Sequence, residues 1–340
     1  MPRIKVPERI LIVKPSSLGD IIHTLPLLGL LKKYRPESEI DWVVSRGFEG
    51  LLQGHPLIGS CILIDKDNWK RPERSLKTLS EFIRLFRLLR ERRYDVCIDA
   101  QGLLRSGLIT LFSGAKKKIG FSDAREGAHL FYNTKVQGGR NIHAVNRYLK
   151  LLTPLGIYPE EIYFPLNHIV EKRPVDGPYY IVIPGARWQT KLWPSEYYAQ
   201  LIRLLSHKAP FSEMKPILVG ATSDKQRAQK INQLSGGEAF DLTGKTDLKE
   251  LCSIIKGASF VITNDSGPMH IAAALNIKVF AIFGPTSPAL TGPYGSNNVV
   301  LTAGISCQPC FKRSCKDLKC MYELLPERVF ERILTDYISE

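Results

Sequence analysis

The chain has 340 residues, of which 44% are hydrophobic and 24% charged, a composition that excludes a disordered chain, a fibre or a small disulfide-rich domain. No apolar stretch is long enough to span a membrane, and the apolar run near the N-terminus is too short for a signal peptide, so we expect a cytoplasmic protein. The formal net charge is +14, and the first 170 residues carry 27 Lys and Arg against 17 Asp and Glu. This excess indicates an anionic partner, although solubility alone would also account for it.

Apolar strands and helices are predicted to alternate through the first half of the chain. Residues 9–14 form a buried strand, the turn PSSLGD follows, and an apolar helical segment runs from residue 21 to 33. Three more strands are predicted at 40–44, 61–65 and 95–100, with a long helix at 79–93. Continuous apolar strands separated by helices favour a parallel, doubly wound α/β sheet.

The Pro- and charge-rich segment 164–180 predicts a linker, and the alternation restarts after it. Strands are predicted at 179–185, 216–220, 260–264 and 279–284, with a helix at 193–205. Two doubly wound halves would enclose a cleft facing the carboxyl ends of both sheets. We therefore expect domains at 1–170 and 171–317, and a C-terminal helical segment at 318–340 that could cross back to the first domain.

The turn after the first strand should open into a ligand crevice, because it lies at the carboxyl end of a doubly wound sheet. It contains one glycine, so the GxGxxG of a dinucleotide-dependent oxidoreductase is absent. Asp20, near the start of the following helix, is either a helix cap or a carboxylate base at the cleft.

Two motifs of the second half predict an anion site. Lys191 lies in the loop GARWQTKLWP, where it either meets a phosphate or carboxylate or is merely solvated. The sequence Ser266-Gly267-Pro268 follows a strand and should begin a helix whose N-terminal N–H groups attract anions. His270 falls on the first turn of that helix, as a structural hydrogen-bonding residue or a ligand contact. One carboxylate, one lysine and a helix N-terminus suit group transfer from a nucleotide diphosphate donor.

Four of the seven cysteines, Cys307, Cys310, Cys315 and Cys320, form a C-x2-C-x4-C-x4-C pattern. They could bind zinc, or be packed or redox-labile thiols.

In the helix at 79–93, we expect five apolar residues to face the core: Leu79, Phe82, Ile83, Phe86 and Leu89. Arg84, Arg87 and Arg90 then form a separate face, with Leu85 and Leu88 alongside, which is either simply solvated or docks on an anionic membrane.

Several segments together resemble the ADP-heptose:lipopolysaccharide heptosyltransferases. They are ILIVKPSSLGDIIHTLP, IDWVVSRGFEGLL, YDVCIDAQGLLRSG, PGARWQTKLWP, ITNDSGPMHIAAAL and IFGPTSPALTGPYG, and they follow the order of that family from about residue 9 to 295. The resemblance implies a GT-B fold with an N-terminal acceptor domain and a C-terminal nucleotide-sugar domain. It also implies transfer of heptose from ADP-heptose with inversion, without a metal or another cofactor.

Within that family, SDAREGAHLFYN and HAVNRY are most similar to heptosyltransferase I, which adds the first heptose to the Kdo sugars on lipid A. The cysteine pattern resembles heptosyltransferase II-like members, so a different acceptor position or sugar is the alternative. The implied partners are ADP-heptose, a Kdo-lipid A acceptor and the cytoplasmic face of an anionic inner membrane. A nucleic-acid-binding protein is suggested by charge alone, without a binding motif.

The resemblance also assigns roles to individual residues. Asp20 is the catalytic base, and Lys191 contacts the donor phosphate and sugar. The remaining donor-side residues are Ser16, Ser17, Ala186, Arg187, Asp224, Asp265, Ser266, Gly267, Pro268 and His270, and the acceptor-side residues are Gln101, Arg105 and Arg125. Ala186 and Arg187 stand where type I enzymes often have two threonines.

Overall fold

The computed structural model describes residues 7–65, 75–139, 141–169 and 175–338, with backbone alone for 75–78 and 338. The chain forms two compact units, Met1–His168 and Ile169–Glu340. The division lies close to the domain boundary expected at residue 170. Each unit contains its own six-stranded sheet in which all neighbouring strands are parallel.

The first sheet has the strand order β3-β2-β1-β4-β5-β6. Its strands are Arg9–Val13 (β1), Glu39–Ser45 (β2), Ser60–Ile64 (β3), Val96–Asp99 (β4), Lys117–Phe121 (β5) and Thr134–Val136 (β6). The helices of this unit are Leu18–Tyr34 (α1), Ser75–Arg92 (α2), Leu104–Phe112 (α3) and Ala144–Leu149 (α4), with short 3₁₀ turns at Glu49–Leu51, Ala128–Phe131 and Lys150–Leu155. Residues 10–13 of β1 are all fully buried, as expected for a central strand covered on both faces.

The second sheet has the strand order β12-β11-β10-β7-β8-β9. Its strands are Tyr179–Ile183 (β7), Lys215–Leu218 (β8), Phe240–Asp241 (β9), Phe260–Asn264 (β10), Lys278–Ile282 (β11) and Asn298–Leu301 (β12). Its helices are Ser195–Ser206 (α5), Lys225–Leu234 (α6), Leu248–Gly257 (α7), Gly267–Ala274 (α8), Pro288–Thr291 (α9), Lys319–Tyr322 (α10) and Pro326–Ile338 (α11), with 3₁₀ turns at Gln189–Lys191, Phe211–Glu213 and Thr222–Asp224.

Each sheet has a switch point, where the chain order of the strands reverses. In the first sheet β2 and β4 flank β1, so the reversal lies between β1 and β4; in the second it lies between β7 and β10. Loops that leave the carboxyl ends of the two strands at such a point diverge and leave a crevice. The fold therefore provides one crevice in each unit, and the predicted α/β doubly wound architecture is confirmed.

The last helix, α11, packs against α5 of the second unit. Val329 and Ile333 on α11 are fully buried in the core of that unit, together with Phe211 and Phe260. These contacts hold the helix on its own unit, and the crossing back to the first domain that we considered from the sequence stays a prediction. Its apolar face fits the surface of its own unit.

The expected buried stripe of α2 is wrong at two positions. Leu79 and Ile83 are 56% and 52% exposed, whereas Leu85, which we placed beside the arginines, is buried with Leu89. Counted from Phe82, the residues that face the core recur at helical spacing. The buried face of α2 is therefore rotated by about one residue relative to the predicted face. In the part of the chain that the structure describes, no helix is long and apolar enough to cross a membrane.

Candidate functional site

In the first unit, the segments after β1 and β4 meet at the switch point. The backbone N–H of Ser16 donates to Oε1 of Gln101 at 3.3 Å, and Lys14 Nζ donates to the carbonyl of Ala100 at 2.9 Å. The first segment leads directly into α1, which begins after Ser17. The turn PSSLGD and the loop that carries Gln101 therefore form one wall of the first crevice.

Asp20 lies in the first turn of α1 and accepts hydrogen bonds on both carboxylate oxygens. The backbone N–H and Oγ of Ser17 donate to Oδ2 at 3.0 and 2.7 Å, and the Tyr148 hydroxyl donates to Oδ1 at 2.9 Å. The contact with the Ser17 N–H caps the helix, so the capping role considered for Asp20 is present. Its side chain is nevertheless 39% exposed, which leaves the carboxylate accessible to a substrate.

Lys14 lies behind Asp20 and is almost completely buried. Its Nζ donates to the Tyr148 hydroxyl at 2.8 Å and is 3.8 Å from Oδ1 of Asp20. Burial lowers the pKa of Lys14, and the negative charges of Asp20 and Asp99 oppose that effect. Lys14 is not among the residues predicted from the sequence, although a lysine that directly follows a buried strand and precedes the crevice turn is unusual.

Lys14 and Ser17 keep the Asp20 carboxylate ionised. Burial acts to raise the pKa of Asp20, but the Lys14 ammonium and the two hydrogen bonds from Ser17 outweigh it, so the pKa is lowered from its ordinary value. Burial and the Asp20 charge both raise the pKa of Tyr148, so this phenol remains protonated and donates to the carboxylate. Asp20 is therefore ionised throughout the physiological pH range.

The buried carboxylate of Asp99 fixes the loop after β4 through hydrogen bonds to its backbone. It accepts from the backbone N–H groups of Gln101 and Gly102 at 2.8 and 3.0 Å and from the Tyr132 hydroxyl at 2.7 Å. Burial raises the pKa of Asp99, and these hydrogen bonds counteract it. Asp99 thus orients the loop that presents Gln101.

Two of the expected acceptor-side residues adjoin this loop. The backbone N–H of Arg125 donates to the carbonyl of Gly102 at 2.9 Å, and the positive charge of Arg125 lowers the pKa of Lys14, so the guanidinium lies within electrostatic range of the crevice. Arg105 lies in the first turn of α3. The structure therefore brings Ser16, Ser17, Asp20, Gln101 and Arg125 into one region of the first unit.

In the second unit, Lys191 and Asp265 form an ion pair at the switch point. Lys191 Nζ is 2.6 Å from Oδ2 of Asp265, and the two side chains are only 15% and 6% exposed. The hydroxyl of Thr286, from the loop after β11, donates to the same Oδ2 at 2.5 Å. Sequence reasoning gave Lys191 and Asp265 separate roles and missed Thr286, which stands in the IFGPTSP motif without any charge to mark it.

The N-terminus of α8 lies next to this pair. Ser266 is the N-cap, with extended backbone, and Pro268 occupies the first turn. Oγ1 of Thr263 is 3.1 Å from Oγ of Ser266, and Asn264 accepts from the Trp193 N–H and donates to the carbonyl of Pro184. These bonds fix β10 and β7 together at the point where α8 begins, and the positive end of the α8 helix dipole lies at this point.

His270 is only 6% exposed, on the first turn of α8. A donor contact was expected of it from the sequence. Asp265, which forms part of the same region, is buried to the same extent, so the donor contact of His270 stays a prediction.

Asp224 explains why the second residue of the loop after β7 is a glycine. A Cβ on Gly185 would lie 2.4 Å from Oδ2 of Asp224, and one on Gly220 would lie 3.0 Å from the same atom. The carboxyl group therefore rests directly on the backbone at the carboxyl ends of β7 and β8. Ala186 and Arg187 follow at once, which places Asp224 beside the segment expected to contact the diphosphate.

The four cysteines of the C-terminal pattern are free thiols. Cys307 and Cys315 are exposed, whereas Cys320 is buried and its pKa is raised to about 11, chiefly by burial. Throughout residues 7–65, 75–139, 141–169 and 175–338, no group of three or more His, Cys, Asp or Glu side chains is placed to hold a metal ion.

Comparison with known proteins extends the similarity over both units. A family model described as glycosyltransferase family 9 (heptosyltransferase) matches residues 82–321. Lipopolysaccharide heptosyltransferase 1 of Pseudomonas aeruginosa is 31% identical, over 94% of this chain and 96% of that protein. Two solved structures of the E. coli heptosyltransferase WaaC, with ADP and with ADP-2-deoxy-2-fluoro heptose, match with TM-scores of 0.82 and 0.81 and identities of 30% and 28%. Each match covers 96% of this chain and 99% of the other.

Proposed function

The chain belongs to glycosyltransferase family 9, the heptosyltransferases, and from that premise we propose that it moves a heptose from ADP-heptose to the Kdo region of the lipopolysaccharide inner core. It is a glycosyltransferase with the GT-B class of fold that the sequence resemblance implied. In this proposal the first unit binds the acceptor and the second unit binds the nucleotide sugar.

The second unit carries the groups that an ADP-sugar requires, and we call this region the donor site. Lys191 and the N-terminus of α8 supply positive charge for a diphosphate, and Asp224 lies where it could accept hydrogen bonds from a ribose. When ADP departs, the negative charge on its terminal phosphate grows, and fixed positive groups stabilise that charge. Asp265, oriented by Lys191 and Thr286, would face the positive charge that develops on the sugar.

The accessible, ionised Asp20 carboxylate is the observation that carries the acceptor half of the proposal. An acceptor hydroxyl is a very weak acid, and it loses its proton only as its oxygen attacks the anomeric carbon. Asp20 would take that proton while ADP leaves from the opposite face, which inverts the configuration in a single displacement. Since Lys191 and α8 supply positive charge at the phosphates, we propose that this reaction needs no divalent metal.

A transfer assay tests the proposal directly. The protein is incubated with ADP-heptose and either Kdo2-lipid A or the same acceptor already carrying one heptose, and ADP release and the anomeric configuration of the product are measured. We expect ADP and an inverted product with the Kdo acceptor alone. Transfer only to the heptosylated acceptor would instead establish the heptosyltransferase II-like alternative, and retention of configuration would contradict the single displacement.

The acceptor in this proposal is anchored in an anionic membrane, and α2 offers a surface for it. Its arginine face, defined as Arg84, Arg87 and Arg90, is exposed, and none of the three pairs with a carboxylate among the described residues. Leu79 and Ile83, exposed on the same helix, lie at one edge of this face. Basic side chains flanked by exposed apolar ones favour reversible binding to an anionic lipid surface, so we propose that α2 docks there.

A further inference from the structure

The segment 302–320 contains the four cysteines, and we call it the cysteine segment. It packs on the loop that carries Lys191: Oγ1 of Thr190 donates to the carbonyl of Lys312 at 2.9 Å. Thr190 is itself only 2% exposed. The cysteine segment is therefore in direct contact with the donor site through the residue next to Lys191.

The same segment is bound to the loop after β11, which carries Thr286. The backbone N–H groups of Cys310 and Phe311 donate to the carbonyl of Pro285 at 3.0 and 2.8 Å. The side-chain amide of Gln308 donates to the carbonyls of Phe283 and Gly284 at 3.1 and 2.8 Å. The cysteine segment is thus held on two of the loops that form the donor site.

Arg313 projects from this segment onto an aromatic ring of the donor site. Its guanidinium carbon lies 4.7 Å from the centroid of the Trp188 ring, and Lys191 Nζ lies 4.7 Å from the same centroid. The two cations are therefore no further apart than twice that distance. Contact with the face of a tryptophan holds a guanidinium in place without neutralising its charge.

The charge of Arg313 is available to a ligand. The side chain is exposed and forms no ion pair with any described residue, whereas Lys191 is already paired with Asp265. Arg187, on the same loop as Trp188, is also exposed. The donor site thus has three basic side chains, Lys191, Arg187 and Arg313, against the two carboxylates of Asp265 and Asp224.

We propose that Arg313 binds the diphosphate of the donor together with Lys191, and that the cysteine segment serves to place it there. A planar guanidinium can form two parallel hydrogen bonds to phosphate oxygens, which a lysine cannot. The assignment also fits a departure in this sequence: Ala186 and Arg187 replace the two threonines expected near the diphosphate. Guanidinium groups would then supply contacts that hydroxyl groups do not provide here. This inference rests on the proposed ADP-sugar donor.

The test measures the affinity of the full chain for ADP and for adenosine by isothermal titration calorimetry. Arg313→Gln should weaken ADP binding by about tenfold, because an exposed charge-assisted contact to phosphate is lost. Adenosine has no phosphate, so its affinity should not change. Arg313→Lys should restore the charge but not the paired hydrogen bonds, and its ADP affinity should fall between those of the wild type and the Gln variant.

The matched control is Lys316→Gln, an exposed cation of the same segment for which the structure shows no contact with the donor site. Equal losses of ADP affinity in Arg313→Gln and Lys316→Gln would show a general charge effect and overturn the inference. Equal losses for ADP and adenosine in Arg313→Gln, or a lowered melting temperature without ligand, would show a structural role. If the wild type itself fails to bind ADP, the proposed donor is wrong; if the wild type and Arg313→Gln bind ADP equally, only the role of Arg313 is wrong.

Discussion

Replacing Lys14 with methionine should change the pH dependence of the reaction by raising the pKa of Asp20. Methionine keeps an unbranched side chain in a position that is 1% exposed, while it removes the ammonium 3.8 Å from the carboxylate. Without that charge, burial acts on Asp20 with less opposition and disfavours its ionised form. The base would then become protonated at a higher pH.

The distance gives the size of the effect. Two unit charges about 4 Å apart interact by about 1 kcal/mol in water and by about 4 kcal/mol at an effective dielectric constant of 20. Because the Asp20 side chain is 39% exposed, solvent screening places the value in the lower half of that range. One pKa unit corresponds to about 1.4 kcal/mol, so the pKa of Asp20 should rise by roughly one to two units.

The measurement is the pH profile of kcat/KM with a water-soluble, delipidated acceptor. A carboxylate base is active when ionised, so activity falls as the pH drops through its pKa. In the wild type that fall should lie below pH 3.8, the ordinary value from which the Asp20 pKa is lowered. In Lys14→Met this acid limb of the profile should move up by roughly one to two pH units. At pH 8, where Asp20 is ionised in both proteins, kcat/KM should change less than it does at acidic pH.

Lys116→Met is the control, since Lys116 belongs to the same unit but pairs with Asp95 at 3.0 Å. Its pH profile should match that of the wild type. A folded Lys14→Met variant, verified by its melting curve, whose acid limb coincides with that of the wild type would refute the electrostatic role assigned to Lys14.

Three further predictions follow from the proposed reaction. Asp20→Asn should retain ADP binding, because ADP contacts are assigned to the second unit, while turnover falls by roughly a hundredfold or more; near-normal turnover would leave Asp20 with helix capping alone. Turnover should persist in excess EDTA, and loss of activity that magnesium restores would reject the metal-free reaction. In vesicle co-sedimentation, the protein should bind anionic vesicles at low salt and dissociate at high salt. Changing the three arginines of the arginine face to Gln should weaken this binding by about a hundredfold, because each basic residue near such a surface contributes about 1 kcal/mol. The control set removes three exposed cations of the second unit, Lys208, Lys215 and Lys249, and an equal loss there would show that net charge rather than α2 causes binding.

The fold was predictable because its signal is local. The strands are short apolar runs such as residues 9–14 and 260–264, and their alternation with helices is sufficient to indicate two parallel sheets. The turn residues at the ends of β1 and β10 were predictable for the same reason, since a doubly wound sheet places its crevice there. Periodicity located the core less well: in α2 it included Leu79 and Ile83, because an amphipathic pattern leaves the exact centre of the buried face undetermined.

The residues that sequence reasoning missed act through contacts between distant parts of the chain. Tyr148 donates to Asp20 across 128 positions, and Arg313 reaches Trp188 from a segment singled out only for its cysteines. Thr286 carries no charge and belongs to no phosphate-binding pattern, yet its hydroxyl fixes Asp265. A single sequence does not show which strands are neighbours, so no spacing rule could have joined these pairs.

Each unit places a lysine–aspartate pair at its switch point, and the two pairs differ in how far their members are exposed. In the first unit the lysine side chain is 2% exposed and the aspartate 39%, so Lys14 holds the charge of an accessible Asp20. In the second unit both members are largely buried: Lys191 is 15% and Asp265 6% exposed. An accessible anion suits the removal of a proton from a neutral hydroxyl, and an accessible cation suits a departing phosphate. In the proposed reaction the exposed Asp20 takes the proton in the first unit, whereas in the second unit Lys191 faces the diphosphate and Asp265 the sugar. Exchanging the two members of either pair would therefore keep its net charge but present the wrong sign to the group that it contacts.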